Sequence, residues 1–506
     1  MSDKLVCEFF TYCLETWLTE CPSVHRWFAN LLGKRTSDLW DLSQGWETLS
    51  RITTIPLSSE LFLNGRNEEK DNLLSFLAGQ ASVIRVKAQS KNESYGFILA
   101  ALKSEFAYAS KVLIIKNQNA WGWLVDTKQP LILIPDGFSP TGSGKAVACG
   151  HFVVEALDNQ DTAQASIQIE RPPRQERINA LKSMGLQDKL AEQIYIDTNG
   201  YLEPILRHPK LSPLDQIPAS WNSKISSDLL FAILFATEWD GNNPYDQESL
   251  SNLAGVDYSN LEKTVTELSK LPDAPIRLLG SVWQVISKLD MWLLIAPQLS
   301  ALHLERLGIV AKKVLCDIDP SFDLVPEEHY MASIKGAVPL YSVRLKRWIA
   351  DSLALVSAYG DNYFNAANLR PSDYVRVWAR QIFDTAKNAK SWYSMGESLP
   401  LLAESAPQEF LSAVEKMSEG EIPAILGLFE KEGDGIFGGC PHAALLWALE
   451  RVSWNKSYLS LVSSILARLS DIDPGGRHSN RPWLMYEMCA IHVAARSRTL
   501  ATKQSL

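Results

Sequence analysis

Short, nearly continuous apolar runs recur between residues 68 and 170: Ser82–Val86, Lys111–Ile115, Pro130–Ile134, His151–Glu155 and Ser166–Glu170. Helical stretches separate them. Runs of this kind predict strands covered on both faces, hence a five-stranded parallel sheet with right-handed crossovers in an α/β core. Pro172-Pro173 breaks the rhythm, after which Arg174–Met184, Leu186–Ile196 and Leu202–Leu206 read as a small helical lid. The Pro-rich, polar stretch 209–223 reads as a linker. Beyond it, Ile225–Thr237, Gln247–Ala254 and Ser259–Lys270 carry helical periodicity, with Ser259 as N-cap. Ile276–Leu279 and Val282–Ile286 predict a hairpin that turns at Gly280. Three helices and a two-stranded ribbon make a winged-helix pattern. From Met291 onward the pattern is helical, over 291–317, 327–358, 371–390, 397–430 and 442–469, as in an α-helical repeat array, although no exact period emerges. Ahead of the sheet, Phe9–Leu18 and Val24–Leu32 read as helix, and the Trp-rich Leu39–Trp46 has no assigned form.

Composition narrows the picture. At 506 residues, 46% hydrophobic and 21% charged, the chain is a multidomain globular protein, and a wholly disordered one is excluded. A net charge of -9 leaves no global basic field to draw it to nucleic acid or anionic lipid. Cysteines at 7, 13, 21, 149, 316, 440 and 489 match neither an even disulfide framework nor a CxxC zinc spacing, so a reducing cytoplasm is the expectation. No apolar run reaches the roughly 18 residues of a membrane span, and no membrane partner is expected. His442 beside Cys440 lacks further ligands at metal spacing, and no Gly-x-Ser-x-Gly elbow is present. Most of the 16 tryptophans, Trp348, Trp378 and Trp447 among them, are expected in the core.

The alternation of strands and helices raises the question of nucleotide binding. A phosphate loop needs a Gly-rich turn after the first strand, with a Lys and a Ser or Thr for phosphate and Mg²⁺. The turn here, Lys87–Ser94, contains no glycine, and Glu93 brings negative charge to the phosphate position; Lys91 and Ser94 remain as polar candidates. Thr141-Gly142-Ser143-Gly144-Lys145 offers a second loop with Lys145 as the candidate cation. It follows the third strand, Ala146 lacks the Mg²⁺-binding hydroxyl, and the next helix spans only Lys145–Cys149. Asp136, after the third strand, stands where a carboxylate would hold Mg²⁺ through water, but Gly137 supplies no base. The core is therefore read as degenerate and non-hydrolysing, with no cofactor assigned. ATP with Mg²⁺ would be the cofactor of the alternative reading, an NTPase switch. In a third reading the winged helix binds DNA through Ser259–Lys270, whose Glu262, Lys263, Glu267 and Lys270 cancel in charge.

The chain divides accordingly into a helical N-terminal segment (1–60), a P-loop-NTPase-like α/β domain (61–172), a helical lid (173–215), a winged-helix domain (224–290), an α-helical array (291–482) and a divergent tail (483–506). Leu14–Leu18 with Ser23–Ala29, then Gly45–Arg51, and Asp473–Arg477 with Asn480-Arg481-Pro482 resemble large bacterial proteins attributed to anti-phage defence. In these a restriction-endonuclease-like domain precedes a STAND-type NTPase-like core, a winged helix and a long helical sensor region. The resemblance, which runs over residues 14–482, implies sensing or signalling, with the effector placed N-terminally. About a dozen residues precede its start, so a shortened copy without the nuclease is expected. The expected role is a non-catalytic or nucleotide-sensing scaffold that binds a partner protein through the helical array.

Overall fold

The computed structural model describes residues 38–125, 130–212, 218–363, 370–430, 440–476 and 480–487. The quoted segments 14–18 and 23–29 lie outside them, as do the two predicted helices ahead of the sheet and most of the tail. Two compact units form. The first holds the described residues up to Asn222 with Glu267–Pro275 and Ile286–Asp290; the second holds Ser223–Thr266, Ile276–Val285 and the described residues from Met291.

The first unit is built on a mixed, mostly parallel sheet of six strands rather than five. They are β1 (Leu39–Trp40), β2 (Val83–Lys87), β3 (Val112–Ile115), β4 (Ile132–Pro135), β5 (Phe152–Leu157) and β6 (Ile167–Gln168), in the order β1-β3-β4-β5-β2-β6. The extra strand, β1, pairs antiparallel with β3 through Leu39 opposite Ile115 and Trp40 opposite Ile114. The next residue, Asp41, caps the helix Leu42–Ser50 by accepting from the Gln44 N–H at 2.8 Å, so the Trp-rich segment is a strand turning into a helix.

Period-two alternation divides the sheet's apolar side chains between two cores. Ile84, Val86, Ile114, Ile132, Ile134 and Val154 belong to one, together with Phe97–Leu102 of the helix Lys91–Lys103. Leu113, Ile115, Leu133 and Val153 belong to the other, with Trp121, Leu124 and Ala146. Every residue of β3 and β4 is buried, as the continuous apolar runs require. Each such side chain contributes about 1.5–3 kcal/mol on burial. Gly96 faces Phe62 so closely that a Cβ would lie 2.1 Å from the ring, so only glycine fits that helix position without moving the ring. The three helices after Pro173 are Arg174–Ser183, Asp188–Thr198 and Leu202–Arg207, close to the predicted spans.

In the second unit the helix Ser227–Ala236 is buried from Leu230 onward. A three-stranded antiparallel sheet follows in the order β7-β9-β8, with β7 (Glu238–Asp240), β8 (Ile276–Leu279) and β9 (Val282–Val285); Gly280 takes φ 64 at the turn between β8 and β9. The third helix starts at Tyr258 and runs to Leu268, which puts Ser259 inside its first turn rather than at the cap. The helical half is more broken than its periodicity predicts. Span 327–358 is helical only over Val343–Tyr359 apart from a short 3₁₀ segment, Pro326–Met331. Span 397–430 contains the separate helices Leu399–Ser405, Pro407–Met417 and Gly427–Glu430. Pro407 opens the second of these, as the missing N–H allows.

Candidate functional site

In parallel α/β sheets, ligands meet the carboxyl ends of the strands. Here that edge carries the turn after β2, Lys116 after β3, Asp136 after β4 and Asp158 after β5. Ser90 has extended backbone and caps the helix Lys91–Lys103, its hydroxyl accepting from the Glu93 N–H at 3.3 Å. The candidate Ser94 is fully buried and donates its hydroxyl back to the Lys91 carbonyl at 3.2 Å and the Ser90 carbonyl at 3.4 Å. Both bonds are internal to the turn. The candidate Lys91 is exposed and stands 3.8 Å from Asp161 in the loop after β5.

Glu93 does not project its charge into the turn. It is buried beneath it, with Oε1 accepting from Arg66 Nη2 at 2.5 Å and Arg177 Nη2 at 3.0 Å. Arg66 also donates to the carbonyls of Phe62 and Glu170, and Arg177 to that of Leu61. Burial alone would push the Glu93 carboxyl up, but the two guanidinium charges and their hydrogen bonds outweigh it and hold the group below the usual carboxylate range. Burial pushes Arg177 down to about 10 against the pull of Glu93. The residue expected to repel phosphate is thus a clasp joining the first turn of its helix to the helix Arg174–Ser183.

Asp136 follows β4 as the sequence placed it. Its carboxylate is paired with Lys116, whose ammonium also lies 3.6 Å over the Trp40 ring. Burial, reinforced by the Asp136 charge, raises the Tyr95 phenol far above its ordinary value. The loop with Lys145 ends in a helix of six residues, Ser143–Ala148, after Gly142 at φ 84. Lys145 is exposed, while Ala146 packs into the core. Of the four candidates, Lys91 and Ser94 share one helix, and Lys91 and Asp136 are each drawn to a different partner.

The residues that dominate this edge were not among the sequence candidates. Glu203, on the helix Leu202–Arg207, accepts from Asn92 Nδ2 at 3.1 Å. Four residues on, Arg207 forks onto Asp290, with Nε and Nη2 donating at 3.0 and 2.8 Å, while Nη1 lies 3.6 Å from Asp273. All four side chains are largely buried. Burial raises the Glu203 carboxyl despite a hydrogen bond from Ser90, the Arg207 charge and a hydrogen bond from Asn92. It likewise raises Asp290 despite Arg207. Gln89 of the same turn donates to the Leu271 carbonyl at 3.3 Å. Two carboxylates, Asp290 and Asp273, are therefore ion-paired with one guanidinium beside the turn, and the Glu203 charge acts on it as well. Glu203 and Arg207 are spaced as a helical i,i+4 pair, the only hint in the sequence, and Asp273 and Asp290 come from far along the chain.

In the second unit, Arg277 donates to Gln284 at 2.8 Å, Gln284 donates to Glu238, and the hairpin ends in the half-exposed Leu278 and Leu279. On the helix Tyr258–Leu268, Leu261, Val265 and Leu268 are buried while Glu262, Lys263 and Glu267 are exposed. Trp378 is core, Trp348 is half-buried, and Trp447 is 52% exposed, so the expectation of a buried Trp447 is corrected. Its face of the helix Ala443–Ser453 borders a cleft of about 410 Å³. His442 is buried, stacked on Phe429, with Nε2 2.9 Å from the Asn480 carbonyl and 3.2 Å from Cys440 Sγ. Among the described residues no three His, Cys, Asp or Glu side chains converge as metal ligands, and no helix is long and apolar enough to cross a membrane.

Comparison with protein-family models finds no match, and comparison with curated proteins finds none either.

Proposed function

We propose that this chain is a non-catalytic scaffold built on a degenerate P-loop-like domain, in a bacterial defence or signalling system of the STAND type, with a winged helix and a helical array that binds a partner protein. The observation that carries this reading is the acidic cluster at the carboxyl edge of the sheet. Glu203, Asp273 and Asp290 surround one Arg207. Two unit charges about 5 Å apart interact by about 3 kcal/mol at an effective dielectric near 20, so carboxylates that outnumber their one guanidinium oppose a triphosphate here. The turn offers little in return. Ser94 is committed to backbone carbonyls and Asp136 to Lys116, while exposed Lys91 stands 3.8 Å from the Asp161 carboxylate. Exposed Trp447 beside its cleft supports a protein-docking role for the array.

Thermal unfolding with and without saturating ATP and Mg²⁺ tests the reading. Ligand at a hundred times its Kd adds about 2.7 kcal/mol to stability. The scaffold is expected to melt at an unchanged temperature. A saturable upward shift, or ATP turnover lost on Lys91→Ala or Lys145→Ala, overturns it in favour of the switch.

A further inference from the structure

The cleft beside Trp447 is lined from the helices Val343–Tyr359, Ala389–Met395 and Ala443–Ser453 and from the 3₁₀ turn Gly396–Ser398. Its 410 Å³ falls within the range of about 300–1,000 Å³ that ligand sites occupy. Val343, Met395 and Trp447 give it apolar walls, and Asp319, Glu397 and Lys346 bring its charge. We propose that this cleft receives a basic segment of a partner protein, with an Arg or Lys side chain laid against Trp447 and drawn in by Asp319 and Glu397. This rests on the scaffold reading above and names the chemistry of its partner.

The charge balance selects a cation. Lys346 is the base among the described lining residues, and it is already neutralised: its buried Nζ lies 2.9 Å from Asp317 Oδ2 and donates to the Asp317 carbonyl at 3.2 Å. Asp319 Oδ1 accepts from the Ser321 N–H at 2.9 Å, a bond that fixes the carboxylate without cancelling its charge. Glu397 is 67% exposed and meets Arg347 only at 4.0 Å, a surface contact of little strength. Two carboxylates at the cleft therefore keep their charge. The aromatic surface points the same way. Trp447 and, seven residues on, the 70% exposed Trp454 fall on one face of the helix Ala443–Ser453 and its cap, about 10 Å apart along the axis. An indole face is the best aromatic partner for a guanidinium or ammonium group, and exposed tryptophans are typical anchors of protein contacts. Between the two indoles stands the exposed Glu450, and the adjacent Arg451 is paired with Glu404 at 2.9 Å, so this ridge adds acid rather than base to the balance. An acidic segment would meet the same carboxylates as repulsion.

The test is fluorescence anisotropy of fluorescein-labelled hexa-arginine and hexa-glutamate titrated with the full chain at about 150 mM salt, where charges beyond about 8 Å are screened. Wild type is expected to bind hexa-arginine saturably and to leave hexa-glutamate free. Trp447→Ala is expected to weaken hexa-arginine binding at least about fivefold, and Asp319→Asn combined with Glu397→Gln at least about tenfold. Asp319→Asn keeps an acceptor for the Ser321 N–H, and Glu397→Gln alone, on an exposed side chain, is decisive if the pair does not fold. Glu305→Gln removes an exposed acid that does not line the cleft and is expected to leave the affinity unchanged. Binding of neither peptide, no loss in Trp447→Ala or in the acid variants, or an equal loss in Glu305→Gln overturns the proposal. Preference for hexa-glutamate overturns it in favour of an acidic partner drawn to Lys346. If wild type stays inert to ATP and Mg²⁺ while hexa-arginine ignores the cleft, the basic-partner proposal fails and the non-catalytic reading stands. A wild type that binds ATP fails that reading whatever the peptides do.

Discussion

Two buried glutamates in the first unit have opposite electrostatic fates, and the difference is measurable. Glu93 is over-compensated by Arg66 and Arg177, whereas Glu203 is under-compensated. Glu93→Gln leaves two guanidinium groups buried without their counter-ion, a change expected to cost about 3–5 kcal/mol in urea unfolding. Glu203→Gln retains an acceptor for Asn92 and sheds a charge that burial disfavours, so its expected cost is about 1 kcal/mol or less. Their pH dependences also differ in sign. Glu93 has its folded value held below the ordinary 4.5, so its contribution is complete above pH 4.5 and is lost as pH falls through the lower folded value. Stability of Glu93→Gln is therefore expected to vary less with pH below 4.5 than that of wild type. Glu203 has its folded value raised above 4.5, so its burial penalty appears as pH climbs from 4.5 through that raised value. Glu203→Gln is expected to remove that loss, which a urea series across the same range would detect.

At the level of elements, the loop Thr141–Lys145 shows how a motif can match in letters and fail in placement. Ala146 is the position at which a phosphate loop would carry its Mg²⁺-binding hydroxyl, yet its Cβ is packed in the core with Trp121, Leu133 and Val153. Ala146→Ser is expected to lower stability by about 1 kcal/mol or more by burying a hydroxyl among apolar groups, with no gain in Mg²⁺-ATP binding; urea unfolding and thermal shift check the two halves. The strands themselves were legible because burial on both faces leaves continuous apolar runs, and β2 to β6 lie within a residue or two of their expected starts. Strand β1 was not, since two residues, Leu39 and Trp40, are too few to show a period. Strand β7 was missed for the same reason, its three residues including two acids. Breaks in the helical half came where local chemistry interrupts a long apolar pattern, as at Pro407 and at Asn455, which caps the helix Lys456–Ile472. The candidate site was the least legible part. Lys91, Ser94 and Asp136 fell at the expected edge, but what governs that edge is the meeting of Asn92, Glu203, Asp273 and Asp290, which no local spacing encodes.

Across the whole molecule, charge decides between the remaining partners. A DNA-binding winged helix gains affinity by neutralising phosphates with Lys and Arg, and each phosphate contact adds about 0.9 to the slope of log affinity against log salt. This chain carries a net charge of -9. The exposed face of the helix Tyr258–Leu268 carries Glu262, Lys263 and Glu267, two acids to one base, so its own field does not attract phosphate. The hairpin that would lie along the backbone presents Leu278 and Leu279 at its tip, and Arg277 beside them is held by Gln284. Apolar tips lose nothing against a protein surface and gain nothing against phosphate. Mobility shift on duplex DNA is therefore expected to show no complex at about 150 mM salt and a slope below that of two phosphate contacts as salt is lowered. A steep slope, weakened further by Lys263→Ala, would make the segment of the helix Tyr258–Leu268 and the β8–β9 hairpin a DNA reader and count against the proposed partner-protein role for that part of the chain.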